Sequence, residues 1–311
     1  MISKPMDVLE HYQVRKSARQ KKIFREEVAA YCTDLGYCVK TEKGSMGAQN
    51  LMIGDPTTAK YLITAHYDTC ARLLIPNFIT PCNMPVYLTY QILVIGLFFL
   101  AAFLVCLPVY LATQNAYAAF WAAYITYMSL ILLMILGPAN KHTANDNTSG
   151  VVTLLEIVRT MPEIHRNKVC FILFDLEEAG LVGSASYRKA HKAATDSQII
   201  LNLDCVGDGD ELVLFPTKKL KNDPDTMAAL EKICGQFGPK SLALHKDGFA
   251  MYPSDQKNFP LGVGIAAFHR NKLCGLYCDR IHTHRDTVLE LTNVNILRAA
   301  LTTLITGAAA E

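Results

Sequence analysis

The chain has 311 residues, 51% of them hydrophobic and 19% charged, with a formal net charge of +2. That length suits one large domain or two modest ones. The near-neutral balance excludes the basic signature of a nucleic-acid-binding protein. Ten cysteines without regular spacing exclude a short secreted disulfide framework and favour a reducing compartment.

In chain order, the charged and polar residues 1–27 hold no apolar core of a cleaved signal peptide. Apolar spacing at Ile23, Val28, Tyr31, Cys32 and Leu35 predicts a helix over 19–35, closed by Gly36. Residues 37–41, 50–54 and 61–65 read as strands. From 73 to 140 there is no Asp, Glu, Lys, Arg or His. Inside that stretch, 86–111 and 117–136 are almost wholly apolar, each about the ~20 residues needed to cross a bilayer. Tyr87, Tyr90, Tyr110, Tyr117 and Trp121 lie toward the ends of these runs, as an interfacial belt would place them; Tyr124 and Tyr127 lie deeper. Residues 112–116 make a tight turn, so the two runs form a transmembrane hairpin whose ends return to one side. The alternative is a buried hairpin in a soluble core. Arg72, Lys141 and the basic stretch 15–22 place that side in the cytoplasm by the positive-inside bias.

Beyond the insert, Val151, Leu154, Leu155 and Val158 predict a helix over 148–161. The uninterrupted runs 169–174 and 199–203 suit buried strands covered on both faces. Residues 227–237 and 289–306 read as helices. Strands alternating with helices predict an α/β domain with a mostly parallel, possibly mixed sheet. The division expected is a catalytic part built from 1–72 and 141–311, with 73–140 inserted.

Acidic and histidine motifs run through the catalytic part: His66-Tyr67-Asp68, Asp146-Asn147, Glu177-Glu178, Asp204 and His282. Three of them follow predicted strands, where sites form in open α/β sheets. Imidazole and carboxylate donors suit zinc. Asp146 can bridge two cations, with His66 and Asp204 completing one and Glu178 and His282 the other. Asp68 can fix the tautomer of His66. Glu177, adjacent to Glu178 but diverging from it, is the candidate general base. Each motif alone has an ordinary explanation: Asp-Asn before a helix is commonly an N-cap, and a double glutamate at a helix start commonly balances the macrodipole.

Together the motifs resemble the co-catalytic zinc aminopeptidases of metallopeptidase family 28. The matching segments are His66-Tyr67-Asp68, Asp146-Asn147-Thr148-Ser149-Gly150, Asp175-Leu176-Glu177-Glu178-Ala179-Gly180, Asn202-Leu203-Asp204 and His282-Thr283-His284-Arg285-Asp286. Gly183-Ser184 and Ser254-Asp255 also fit. The resemblance implies a three-layer α/β/α sandwich with a central mixed sheet, phosphorylase/hydrolase-like, carrying the transmembrane hairpin as an insertion. It implies two zinc ions per chain, held by His66, Asp146, Glu178, Asp204 and His282. It further implies Glu177 as base, a cis bond at Asp146-Asn147, and peptides as substrates. His282 is preferred to His284 because it holds the His-Thr position. His142, His245 and His269 are expected outside the ligand set. The chain departs from the family pattern at Gln256, where a histidine is common, and in the hairpin itself.

The flanking position of the hairpin predicts an active-site mouth near the bilayer, a taste for apolar peptides, and room for oligomers through the spans. A single-zinc glutaminyl cyclase and an inactive peptidase-like receptor or scaffold are the competing readings.

Overall fold

The computed structural model describes residues 1–73 and 75–307. A short helix α1 (Asp7–His11) precedes α2 (Ala18–Asp34), which Ser17 opens by accepting from the Gln20 N–H while the Gln20 side chain caps the Ser17 N–H. Strands β1 (Val39–Lys43), β2 (Gln49–Ile53) and β3 (Tyr61–His66) follow. The long helices α3 (Met84–Thr113) and α4 (Ala116–Leu136) come next. Then come α5 (Gly150–Thr160), β4 (Val169–Phe174), α6 (Val182–Ala190), α7 (Lys192–Thr195) and β5 (Ile199–Leu203). The chain continues through β6 (Glu211–Pro216), α8 (Pro224–Lys232), β7 (Gly235–Phe237) and β8 (Lys240–Leu244). It closes with β9 (Gly262–Asn271), β10 (Gly275–Tyr277) and α9 (Leu291–Thr306).

The strands form one mixed sheet in the order β1-β2-β4-β3-β5-β9-β6-β8-β7, with β10 beside β9. Its middle is parallel, β4 with β3, β3 with β5 and β5 with β9. Period-2 alternation along β4 sorts its side chains between the two faces. Val169, Phe171 and Leu173 join the core under α2, α5 and α9; Cys170, Ile172 and Phe174 join a smaller core with Tyr187 of α6. Helices on both faces of the sheet are the three layers expected.

One prediction fails. The helix read over 227–237 stops at Lys232, and Gly235–Phe237 instead pairs antiparallel with Lys240–Leu244. Gly235 sits one residue past the half-buried Cys234, and Gly238, at φ +66°, turns the chain into a hairpin. The left-handed turn that glycine allows outweighs the apolar spacing that suggested continuation. Strands β6, β8, β9 and β10 were not predicted.

The helices α3 and α4 are long and apolar enough to cross a membrane. They are not a buried core hairpin, since outward residues such as Ile92, Leu104 and Leu136 are exposed. Asn115 caps α4, accepting from the N–H groups of Tyr117 and Ala118. Tyr127, too deep for an interfacial belt, stacks on Phe99 with ring centroids 4.9 Å apart. The ends of the insertion are tied together. Ala71 and Ala139 form a β-bridge, and the Arg72 N–H donates to the Pro138 carbonyl at 2.8 Å. The Leu73 N–H donates to the carbonyl of His282, also at 2.8 Å.

The basic stretch 15–22 contributes less surface charge than its sequence suggests. Arg15 is fully buried, and Lys21 pairs with Asp175 at 2.7 Å. Lys16 does meet the hairpin, donating to the Ile135 carbonyl at the end of α4 at 2.9 Å. That carbonyl lies in the last turn, where a cation is favourable.

Candidate metal centre

Because β4, β3 and β5 are parallel neighbours, the residues that follow them meet at one rim. His66 ends β3 in register with Phe174, the last residue of β4. Asp175 to Glu178 continue from β4, and Asp204 follows β5. The turn before α5 brings Asp146, and the loop after β10 brings His282. The start of α5 lies so close to β5 that only glycine fits at 150. A Cβ there would sit 2.4 Å from both the Leu203 carbonyl and Asn147 Oδ1.

Asp146 stands between the two histidines and shows one oxygen to each. Its Oδ1 lies 3.2 Å from His66 Nε2, and its Oδ2 lies 2.9 Å from His282 Nε2. His66 Nε2 is also 3.6 Å from Asp204 Oδ1, and His282 Nε2 is 3.6 Å from Glu178 Oε1. Donor atoms of His66, Asp146 and Asp204 lie within 4.8 Å of one another, as do those of Cys70, Asp146, Glu178 and His282. Asp146 belongs to both groups. His66, Glu177 and Glu178 form a third. The structure thus brings together every metal ligand expected, with Glu177 alongside. His284 is exposed and His142 is exposed, while His269 pairs with Asp208 at 3.0 Å and His245 lies near Cys82.

Asp68 faces His66, as expected, and also takes a second task. Its Oδ1 is 3.5 Å from His66 Nδ1, but that nitrogen has no hydrogen-bond partner among the described residues. The carboxylate also accepts the backbone N–H groups of Glu177 at 3.0 Å and Glu178 at 3.2 Å. It therefore holds the double-glutamate loop against the end of β3.

The electrostatics are those of a site short of positive charge. Burial pushes the Glu177 carboxyl well above its ordinary range, and Glu178 and Asp204 push it further against the pull of His66. Burial and Asp146 raise Glu178 to about 7. Burial opposes the charge on His282, yet Glu178 and Asp146 lift it to about 9. Asp146 itself is lowered, because its bonds to His282 and His66 outweigh its burial. Crowded, desolvated carboxylates beside imidazole nitrogens are what divalent cations neutralise. Glu178 Oε1 is buried without a hydrogen-bond partner, so it is free to bind an ion. The donor set fits zinc.

Further residues position the candidate ligands. Asp286 accepts the N–H groups of Asn145 at 2.6 Å and Asp146 at 3.0 Å. Asn147 donates to the Leu203 carbonyl at 2.9 Å and accepts from the Gly150 N–H. The peptide bond between Asp146 and Asn147 is cis, as the resemblance implied. Buried Arg15 donates to the Tyr67 carbonyl at 2.5 Å and to Thr148 Oγ1 at 3.2 Å, linking the β3 end to the Asp146 turn. Leu176, Cys205 and His282 adopt left-handed backbone conformations, at φ +57°, +55° and +63°. Such strain collects at functional sites. Gln256, the departure from the family pattern, is buried; its amide accepts from Asn202 and donates to the Tyr252 carbonyl. Its job here is to brace β5. Sequence reasoning missed Cys70, Arg15 and the holding role of Asp286. For Cys70 there was no signal, since a thiol four residues past His66 matches no spacing rule.

Comparison with known proteins agrees with this fold. The family model for peptidase family M28 matches residues 129–305. Aminopeptidase YwaD of Bacillus subtilis is 40% identical over 67 residues, which cover 21% of this chain and 15% of that relative. The match thus spans a small part of the curated relative's length. The Legionella pneumophila LapA aminopeptidase superposes with a TM-score of 0.56 at 16% identity, covering 99% of this chain and 71% of that one. The Tannerella forsythia glutaminyl cyclase superposes with a TM-score of 0.58 at 13% identity, covering 98% and 97%. At such identities the superpositions speak for the fold.

Proposed function

The chain belongs to peptidase family M28, and from that premise we propose that it is a membrane-anchored aminopeptidase using two zinc ions. Residues 1–72 and 141–311 make the catalytic part, and 73–140 the anchor, with the catalytic part on the cytoplasmic side. One observation carries the reading: Asp146 belongs to two separate donor groups and turns one oxygen toward each. His66, Asp146 and Asp204 would hold one zinc, and Asp146, Glu178 and His282 the other. Bound there, the ions would polarise a peptide carbonyl and acidify a water.

The protein's own groups do the rest. Glu177 takes the proton from the attacking water and delivers it to the leaving amine. Asp68 keeps Glu177 in place through its backbone N–H. Asp286 and Asn147 hold the turn that carries Asp146. Glu177→Gln keeps the shape of the side chain and removes the base. The variant is expected to retain two zinc ions per chain and lose about 10²–10⁴-fold in kcat, read by metal analysis beside a peptide-library digest.

Likeness to a glutaminyl cyclase fold keeps a second reading in play. One zinc per chain together with ring closure of N-terminal glutamine would favour it. Release of free N-terminal residues at two zinc ions per chain would exclude it.

A further inference from the structure

A cavity of about 740 Å³ opens directly from the metal centre into the cleft between α3 and α4. Glu178 and His282 form its inner end. Tyr90, Gln91, Val94 and Phe98 wall it on α3, and Leu130, Leu133 and Met134 on α4. Tyr90, Val94 and Phe98 recur at intervals of four and Gln91 lies three before Val94, so they share one helix face. From Tyr90 to Phe98 that face runs about 12 Å along the axis, at ~1.5 Å per residue. The chamber therefore reaches from the ligands into the apolar hairpin, and its volume is in the range of about 300–1,000 Å³ usual for ligand pockets.

Two polar groups in the wall narrow the choice of occupant. Gln91 stands in the apolar run of α3, and its amide has no hydrogen-bond partner among the described residues. A polar side chain at membrane depth without a partner points to function. A lipid acyl chain would leave that amide unpaired, whereas a peptide main chain offers both a donor and an acceptor. Arg72, in the same wall, is solvent-exposed, and its guanidinium has no partner among the described residues. Its charge disfavours basic side chains in this part of the cleft.

We propose that this chamber is the substrate cleft, and that it takes the first few residues of apolar peptides entering sideways from the bilayer. Their side chains pack on Val94, Phe98, Leu133 and Met134, and Gln91 bonds their main chain. The peptide's scissile end then lies at Glu178 and His282. This inference rests on the peptidase reading and names its substrate class.

The test uses the zinc-loaded, full-length enzyme in lipid nanodiscs. Two tetrapeptides share their first residue and then carry either Leu and Phe or Ser and Asn. Wild type is expected to prefer the apolar peptide in kcat/KM. Val94→Trp fills the chamber and is expected to cut that preference at least tenfold. Leu93→Trp, on the exposed side of the same helix, is expected to leave the preference unchanged. Binding gives a second measure that needs no turnover. A fluorescent apolar tetrapeptide should bind Glu177→Gln, and adding Gln91→Leu should weaken that binding about tenfold. An unchanged preference in Val94→Trp with unchanged binding in the Gln91→Leu background overturns the proposal. So does a chamber holding a co-purified lipid that the peptide does not displace. Failure of wild type to cleave either peptide would instead overturn the peptidase reading, and the binding arm would still report on the chamber.

Discussion

Asp146 shows how much of a candidate metal site is built by groups outside the proposed ligand set. Its backbone N–H is held by Asp286, and its neighbour Asn147 ties the same turn to β5. Asp286→Ala removes no candidate ligand but frees the turn. Groups that orient ligands typically govern metal affinity by about 10–100-fold. A loss of that size is expected, read by zinc competition against a chelator. The convergence of the candidate ligands was legible because family motifs carry them in a fixed order. The holding groups were legible only in part. Asp286 lay inside a quoted motif without a role, and Arg15 looked like surface charge. Burial of Arg15 depends on α1, the β3 end and the Asp146 turn closing around it, which no local pattern encodes.

Among the elements, the continuous apolar runs of β4 and β5 were readable because strands buried on both faces carry no polar alternation. The short strand Gly235–Phe237 was not, because its residues are all exposed and its pairing is set by the turn at Gly238. The junction of α5 with β5 is the contact on which the site's geometry turns. Gly150→Ala places a methyl against the Leu203 carbonyl and Asn147. Overpacking of this kind costs about 1–3 kcal/mol. The expected result is a lower unfolding midpoint in denaturant together with weaker zinc retention, since α5 and the Asp146 turn must shift together. A fall in stability with zinc affinity intact would show that the turn is independent of the helix.

At the scale of the molecule, two consequences follow from charge and apolar surface. Buried carboxylates that repel one another are stabilised by cations, so chelation is expected to lower the melting temperature. Ligand linkage gives about 2.7 kcal/mol when free zinc is 100 times its Kd. The midpoint should rise with added zinc, and a midpoint insensitive to zinc would count against a cation site among these residues. The exposed apolar faces of α3 and α4 should keep the protein in the membrane fraction through alkaline carbonate, with release only by detergent. The hairpin was legible from the absence of charge over 73–140. Its chamber was not, because a cavity arises from how helices splay, and composition does not record that.

The bond from the Leu73 N–H to the carbonyl of His282 joins the root of the hairpin to a candidate ligand of the proposed metal centre. Helices mismatched to the lipid around them tilt to fit. If the helices span a bilayer as proposed, a tilt would be passed through that root to the imidazole of the candidate ligand His282. Turnover in vesicles of progressively longer acyl chains should therefore pass through an optimum, while the same enzyme in a fluid micelle should show none.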